Sequence, residues 1–126
     1  MSDSLERLHA AVVAAKTADP ASSRTARLLR AGRAKMAKKL AEEAVEVIID
    51  AMHGNRDAVV RESADLLYNL VVLWVSSGVL PKEVWREMDR RERLFGIAEK
   101  LQKPSPEHDV RRKVVALESR RLQKRR

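Results

Sequence analysis

Glu62-Ser63-Ala64-Asp65-Leu66-Leu67-Tyr68-Asn69-Leu70-Val71-Val72-Leu73-Trp74-Val75 is the stretch on which the fold turns. From Leu66 to Val75 it is apolar nearly all round, broken only by Tyr68 and Asn69. That run is about half the length a membrane span needs. It therefore reads as the buried part of a helix over 57–77, buried on most sides and ended by Gly78. Glu62 and Asp65 stand three apart on one face, and Asn69 continues that face a turn later. Carboxylates at the entry to a buried run need compensation, because an unpaired buried charge is costly.

Working outward, Gly54-Asn55-Arg56-Asp57 is a turn, with Asn55 or Asp57 as the next N-cap. Residues 33–53 before it read as a long helix. A short helix covers Thr25 to Ala31 and ends at Gly32; residues 19–23 are a loop; residues 3–18 form a first helix stopped at Asp19-Pro20. Downstream, Pro81 suits the first turn of a helix running to about Phe95, closed by Gly96. Pro104-Ser105-Pro106 breaks the chain again, and the pattern of 106–124 permits a basic amphipathic helix. No strand pattern survives a helical reading. Long helices joined by short turns predict an all-α, antiparallel helical bundle. So small a chain has a thin core, and the reading expects homo-oligomerisation to complete the bundle.

The composition agrees. Hydrophobic residues make up 44% of 126 positions and aromatics 3%, so the core is built from Ala, Val and Leu, which suits packed helices. There is no cysteine, which excludes disulfides, thiolate zinc sites and thiol nucleophiles. No signal-peptide pattern opens the sequence, and the expected compartment is the cytoplasm. The net charge is +8, of which residues 104–126 contribute +5 through 8 Lys/Arg against 3 Asp/Glu. The basic character is thus largely a property of the tail, which solvation or an anionic partner would equally explain.

The chemistry points to acids. Glu42, Glu43, Glu46 and Asp50 fall within roughly a 100° arc of their helix, beside a face of Val, Ile and Leu. The turn after this helix lets them face Glu62 and Asp65. Carboxylates converging in a groove repel unless a cation lies between them, and oxygen ligands without Cys favour a hard ion, Mg²⁺ or Mn²⁺. The competing reading is a solvated acidic face, with Lys38 and Lys39 paired to Glu42 and Glu43 at i, i+4. Arg27, Arg30, Arg33, Lys35, Lys38 and Lys39 precede the acids. A metal site flanked by cations is what a polyphosphate requires. His9, His53 and His108 are isolated, and Trp74 and Trp85 read as core or subunit contact.

The pattern Glu42-Glu43-x-x-Glu46, followed after fifteen residues by Glu62-x-x-Asp65, resembles the all-α nucleotide pyrophosphatases of the MazG-like superfamily. Within that superfamily it is most similar to the phosphoribosyl-ATP pyrophosphatase family. The similarity also draws on Ser23-Arg24-Thr25-Ala26-Arg27-Leu28-Leu29, on Lys35 through Glu46, on Glu62 through Leu70, and on Gly96-Ile97-Ala98-Glu99-Lys100. The family usually has Gly at Ala41, commonly an aromatic at Arg24, and often His at Asn69. The resemblance implies hydrolysis of phosphoribosyl-ATP to phosphoribosyl-AMP and pyrophosphate, in histidine biosynthesis. It implies Glu43, Glu46, Glu62 and Asp65 as Mg²⁺ ligands, with Mn²⁺ as the alternative ion. Glu42 is implied as a further ligand, a group bracing one, or the base that orients water, so that Glu42, Glu43 and Glu46 form the catalytic set. Arg27, Lys35, Lys38 and Lys39 are implied as phosphate contacts, with Asn69 within reach of the substrate.

The organisation expected is a pyrophosphatase domain over 1–103 and a basic tail over 104–126. The expected partners are a nucleotide substrate and a second copy of the chain, with no membrane and no nucleic acid. Two other functions fit the same residues: a pyrophosphatase of other nucleoside triphosphates, and a non-catalytic helical module that binds nucleic acid through the tail.

Overall fold

The computed structural model describes residues 3–96 and, in isolation, Leu117. The expected tail over 104–126, apart from Leu117, and the segment Ile97–Lys100 lie outside the described residues. Among the described residues five helices follow in order: α1 (Asp3–Ala15), α2 (Arg24–Ala31), α3 (Arg33–Met52), α4 (Arg56–Ser77) and α5 (Pro81–Phe95). No strand occurs among the described residues, so the all-helical reading holds. The chain divides into two compact units, Met1–Arg86 and Glu87–Arg126.

In the first unit, local chemistry sets the helix ends. Ser23 caps α2, its hydroxyl accepting from the Ala26 N–H at 3.1 Å. Asn55 caps α4, accepting from the Ala58 N–H at 3.2 Å, which settles the choice between Asn55 and Asp57. At the other end Gly78 sits at φ 72°, ψ 23°, a left-handed conformation that favours glycine. There the Val79 N–H reaches back to the Trp74 carbonyl at 2.9 Å. α1 is shorter than expected. It stops at Ala15, and Lys16, Thr17 and Ala18 close tighter turns onto the carbonyls of Val13, Ala14 and Ala15. The Thr17 hydroxyl also bonds the Ala14 carbonyl, a local competitor of helical bonding.

The core is Val12 of α1, Met36 of α3, and Val71, Val72 and Val75 of α4. Leu5, Leu8, Leu28, Leu29, Tyr68, Leu73 and Trp74 pack around it. Trp74 and Trp85 meet edge to face, with ring centroids 6.2 Å apart and planes at 80°. α3 and α4 contact each other along their lengths across a connection of only three residues, His53, Gly54 and Asn55. Two helices of 20 and 22 residues so joined form an antiparallel hairpin. α1 and α2 lie against it.

The expected burial of Leu66–Val75 holds on most sides: Asn69, Val71, Val72 and Val75 are buried, five more are half-buried, and Leu67 alone is exposed, at 43%. Within the first unit α4 finds α1, α2 and α3 around it, and these leave a strip uncovered. α3 likewise exposes Val45, Ile48, Ile49 and Met52, the last at 81%.

In the second unit, Glu87 accepts from Arg90 at 2.8 Å and Arg91 at 3.1 Å on α5. The hydrogen bonds from Arg90 and then Arg91 hold its carboxyl down at about 2. Among the described residues, no single helix is long and apolar enough to cross a membrane.

Candidate active site

The antiparallel register of α3 and α4 determines which side chains meet. As α3 runs toward the turn, α4 runs away from it, so residues pair in reverse order. Glu46 reaches Glu62, Glu43 reaches Asp65, and Lys39 lines the same cavity as Asn69. Glu43, Glu62 and Asp65 each place a carboxylate oxygen within 4.8 Å of the others. Glu43 and Glu62 are half-buried and Asp65 is exposed. Glu43 Oε2 is buried without a hydrogen-bond partner, an arrangement that proteins ordinarily avoid.

Glu46 belongs to the same cluster through its side chain. A hydrogen bond with Glu62 raises its carboxyl above the ordinary carboxylate range, and the charge of Glu62 raises it further. Slight burial and the charges of Asp50 and Asp65 push the same way. A divalent cation among these carboxylates would relieve their mutual repulsion and give Glu43 Oε2 a partner, so the donor set fits a hard, oxygen-ligated ion.

Glu42 is exposed on the same turn of α3 and stands outside the three-residue grouping. The expected alternative, in which Lys38 and Lys39 neutralise Glu42 and Glu43, is not what the side chains do. Among the described residues neither lysine pairs with either acid; the ion pairs are Arg56–Asp57 and those of Glu87.

A cavity of about 310 Å³ adjoins the acids. α2 contributes Arg24, Arg27, Leu28 and Ala31; α3 contributes Lys35 and Lys39; α4 contributes Tyr68 and Asn69. Arg27, Lys35, Lys39 and Asn69 were singled out from the sequence and meet here, whereas Lys38 is exposed and does not line the cavity. Asn69 is buried, and its amide donates to the Asp65 carbonyl at 2.8 Å, tying the cavity wall to the acidic turn. Arg27 donates to the Pro20 carbonyl at 2.7 Å.

Arg24, Thr25 and Tyr68 were not singled out as site residues. The hydroxyls of Thr25 and Tyr68 lie 2.6 Å apart and join α2 to α4. A faint signal existed: Tyr68 is a polar aromatic three residues after Asp65 in an apolar run, and Arg24 shares a helix face with Arg27.

Residues 5–92 match the family model described as phosphoribosyl-ATP pyrophosphohydrolase. The chain is 64% identical to phosphoribosyl-ATP pyrophosphatase 2 of Bradyrhizobium diazoefficiens, over 99% of each chain. It is 62% identical to phosphoribosyl-ATP pyrophosphatase 2 of Rhodopseudomonas palustris, over 100% of each. Against the phosphoribosyl-ATP pyrophosphatase of Gluconobacter oxydans the identity is 50%, covering 79% of this chain and 75% of that one.

Proposed function

Since the chain belongs to the phosphoribosyl-ATP pyrophosphohydrolase family, we propose how its own residues carry out that reaction. It is a hydrolase that converts phosphoribosyl-ATP to phosphoribosyl-AMP and pyrophosphate, in histidine biosynthesis. Water adds to phosphorus, the bond to the leaving pyrophosphate breaks, and a proton leaves the water.

The observation that carries the site assignment is the convergence of Glu43, Glu62 and Asp65 from two helices, with one oxygen buried and unpartnered. These three, with Glu46, would hold Mg²⁺, and Mn²⁺ is the alternative with the same preference for oxygen. Such an ion supplies a bound water of lowered pKa and takes up charge on the leaving group. Glu42, exposed beside the cluster, accepts the proton of the attacking water. Arg27, Lys35 and Lys39 face the phosphates from the cavity, and Lys38 adds positive charge from outside it. Asn69 braces Asp65 through the backbone and presents its side chain to the substrate.

Two further features complete the reading. The exposed apolar stripe of α3 is the face on which a second copy docks, giving a homodimer in the cytoplasm. The catalytic domain is 1–103, and the basic tail 104–126 takes no part in turnover.

The test is pyrophosphate release in the presence of Mg²⁺, comparing phosphoribosyl-ATP with ATP and other plain triphosphates. The full chain and a chain ending at Lys103 should both prefer phosphoribosyl-ATP. A preference for a plain triphosphate contradicts the substrate assignment. Loss of turnover on removing the tail contradicts the domain assignment.

A further inference from the structure

Arg24, Arg27, Lys35 and Lys39 line one cavity, and only Arg24 among them has no part yet in the reaction. Resting on the reading that this cavity faces the cleaved phosphates, we infer that Arg24 is a further substrate-binding residue, a grip on the leaving pyrophosphate. Tyr68, through its hydroxyl contact with Thr25, is the positioning residue that sets Arg24 there.

α2 has eight residues, too few to hold a helix in water by itself. Apolar burial seats it: Ala26 is buried, and Leu28 and Leu29 pack on the core. Burial is non-directional, so it does not by itself fix where the polar face of a short helix points. The Thr25–Tyr68 contact supplies that direction. It is 2.6 Å long and partly buried. Among the described residues no other side-chain hydrogen bond runs from α2 to α3 or α4. Tyr68 stands three residues after Asp65, about 4.5 Å along the axis of α4. The contact therefore sets the first turn of α2, and Arg24 with it, beside the acidic turn of α4, where the phosphates must lie to be cut.

Among the described residues Arg24 makes no hydrogen bond and no ion pair, whereas Arg27 is engaged with the Pro20 carbonyl at 2.7 Å. An unengaged guanidinium presents a rigid fork of donors matched to phosphate oxygens. Pyrophosphate packs more charge into less volume than any other part of the substrate, and negative charge grows on it as its bond to phosphorus breaks. A donor fixed where that charge develops favours the transition state.

The test is equilibrium binding of the product. Magnesium pyrophosphate is titrated calorimetrically into the full chain, both equilibrated with the same free Mg²⁺. Arg24→Ala should weaken binding about tenfold, the low end for a charge-assisted contact, and Arg24→Lys should recover part of the loss. Tyr68→Phe keeps the ring and removes the hydroxyl. It should weaken binding about threefold when made alone, the scale of one neutral hydrogen bond, and less than about twofold on top of Arg24→Ala, because Arg27 has its own anchor at Pro20. Thr25→Ser, which keeps a hydroxyl, should bind as the wild type does. Every variant should keep wild-type affinity for Mg²⁺ alone. Pyrophosphate affinity within about twofold of wild type in Arg24→Ala overturns the assignment of Arg24. An undiminished loss from Tyr68→Phe on top of Arg24→Ala overturns the positioning role, since Tyr68 then acts without Arg24. Lys39→Ala is measured alongside. If it too binds as the wild type does, the reading of the cavity itself fails; if it binds more weakly while Arg24→Ala does not, only the role of Arg24 does.

Discussion

At the scale of residues, Glu43 is the informative side chain. An unsatisfied buried acceptor costs about 1–3 kcal/mol, and more when charged, and a cation bound at Oε2 would remove that cost. Its companions were legible in the sequence, because i, i+3 spacing at Glu62 and Asp65 puts both acids on one face just before an apolar run. Glu46 was legible for the same reason. Arg24 and Tyr68 were not, since what brings them together is a cavity walled by three helices, which no local spacing encodes. Lys38 shows the converse: it shares a sequence neighbourhood with Lys39, but one residue is a rotation of about 100°, enough to turn it away from the cavity. If the carboxylates hold the reacting ion, Glu46→Gln and Asp65→Asn should each lower kcat by more than about a hundredfold. The circular dichroism of both variants should stay helical, because both side chains are exposed. Turnover within a few-fold of wild type in either variant removes that residue from the ligand set.

At the scale of elements, the chain's punctuation was readable because it is local chemistry. Ser23, Asn55 and Gly78 each do at a helix end what their side chain, or lack of one, allows. The end of α1 was misjudged because Thr17 and its neighbours choose tighter turns over helical bonds, a small local difference. Burial of most of the apolar run of α4 was legible, but the exposure of Leu67 was not, because apolar character records what a helix can bury, not how many neighbours one chain provides. The stripe of Val45, Ile48, Ile49 and Met52 on α3 follows i, i+3, i+4, i+7 spacing and stays exposed. A proposed second copy would cover it. Sedimentation should therefore find the wild type as a dimer and Ile48→Glu as a helical monomer. A monomeric wild type, or an undisturbed dimer in the variant, counts against docking through α3.

At the scale of the whole molecule, a chain of net charge +8 concentrates acids in one place. The acids stand next to a cavity carrying Arg24, Arg27, Lys35 and Lys39, and this juxtaposition of negative and positive charge is what a metal-bound polyphosphate needs. The reaction was legible only through the family resemblance that the paired acids and the basic residues before them carry. The cavity was not, because it depends on how α2 is bolted to α4. The similarity to the Bradyrhizobium and Rhodopseudomonas relatives extends over 99% and 100% of this chain, so it includes the basic end, on which the chemistry of the acids makes no demand. The central claim is that α3 and α4 together hold a divalent cation, and titration calorimetry with Mg²⁺ and Mn²⁺ at neutral pH tests it most directly. The account expects saturable binding to the wild-type chain and affinity reduced more than about a hundredfold in Asp65→Asn. Absence of binding in the wild type, or equal affinity in the two proteins, would contradict it.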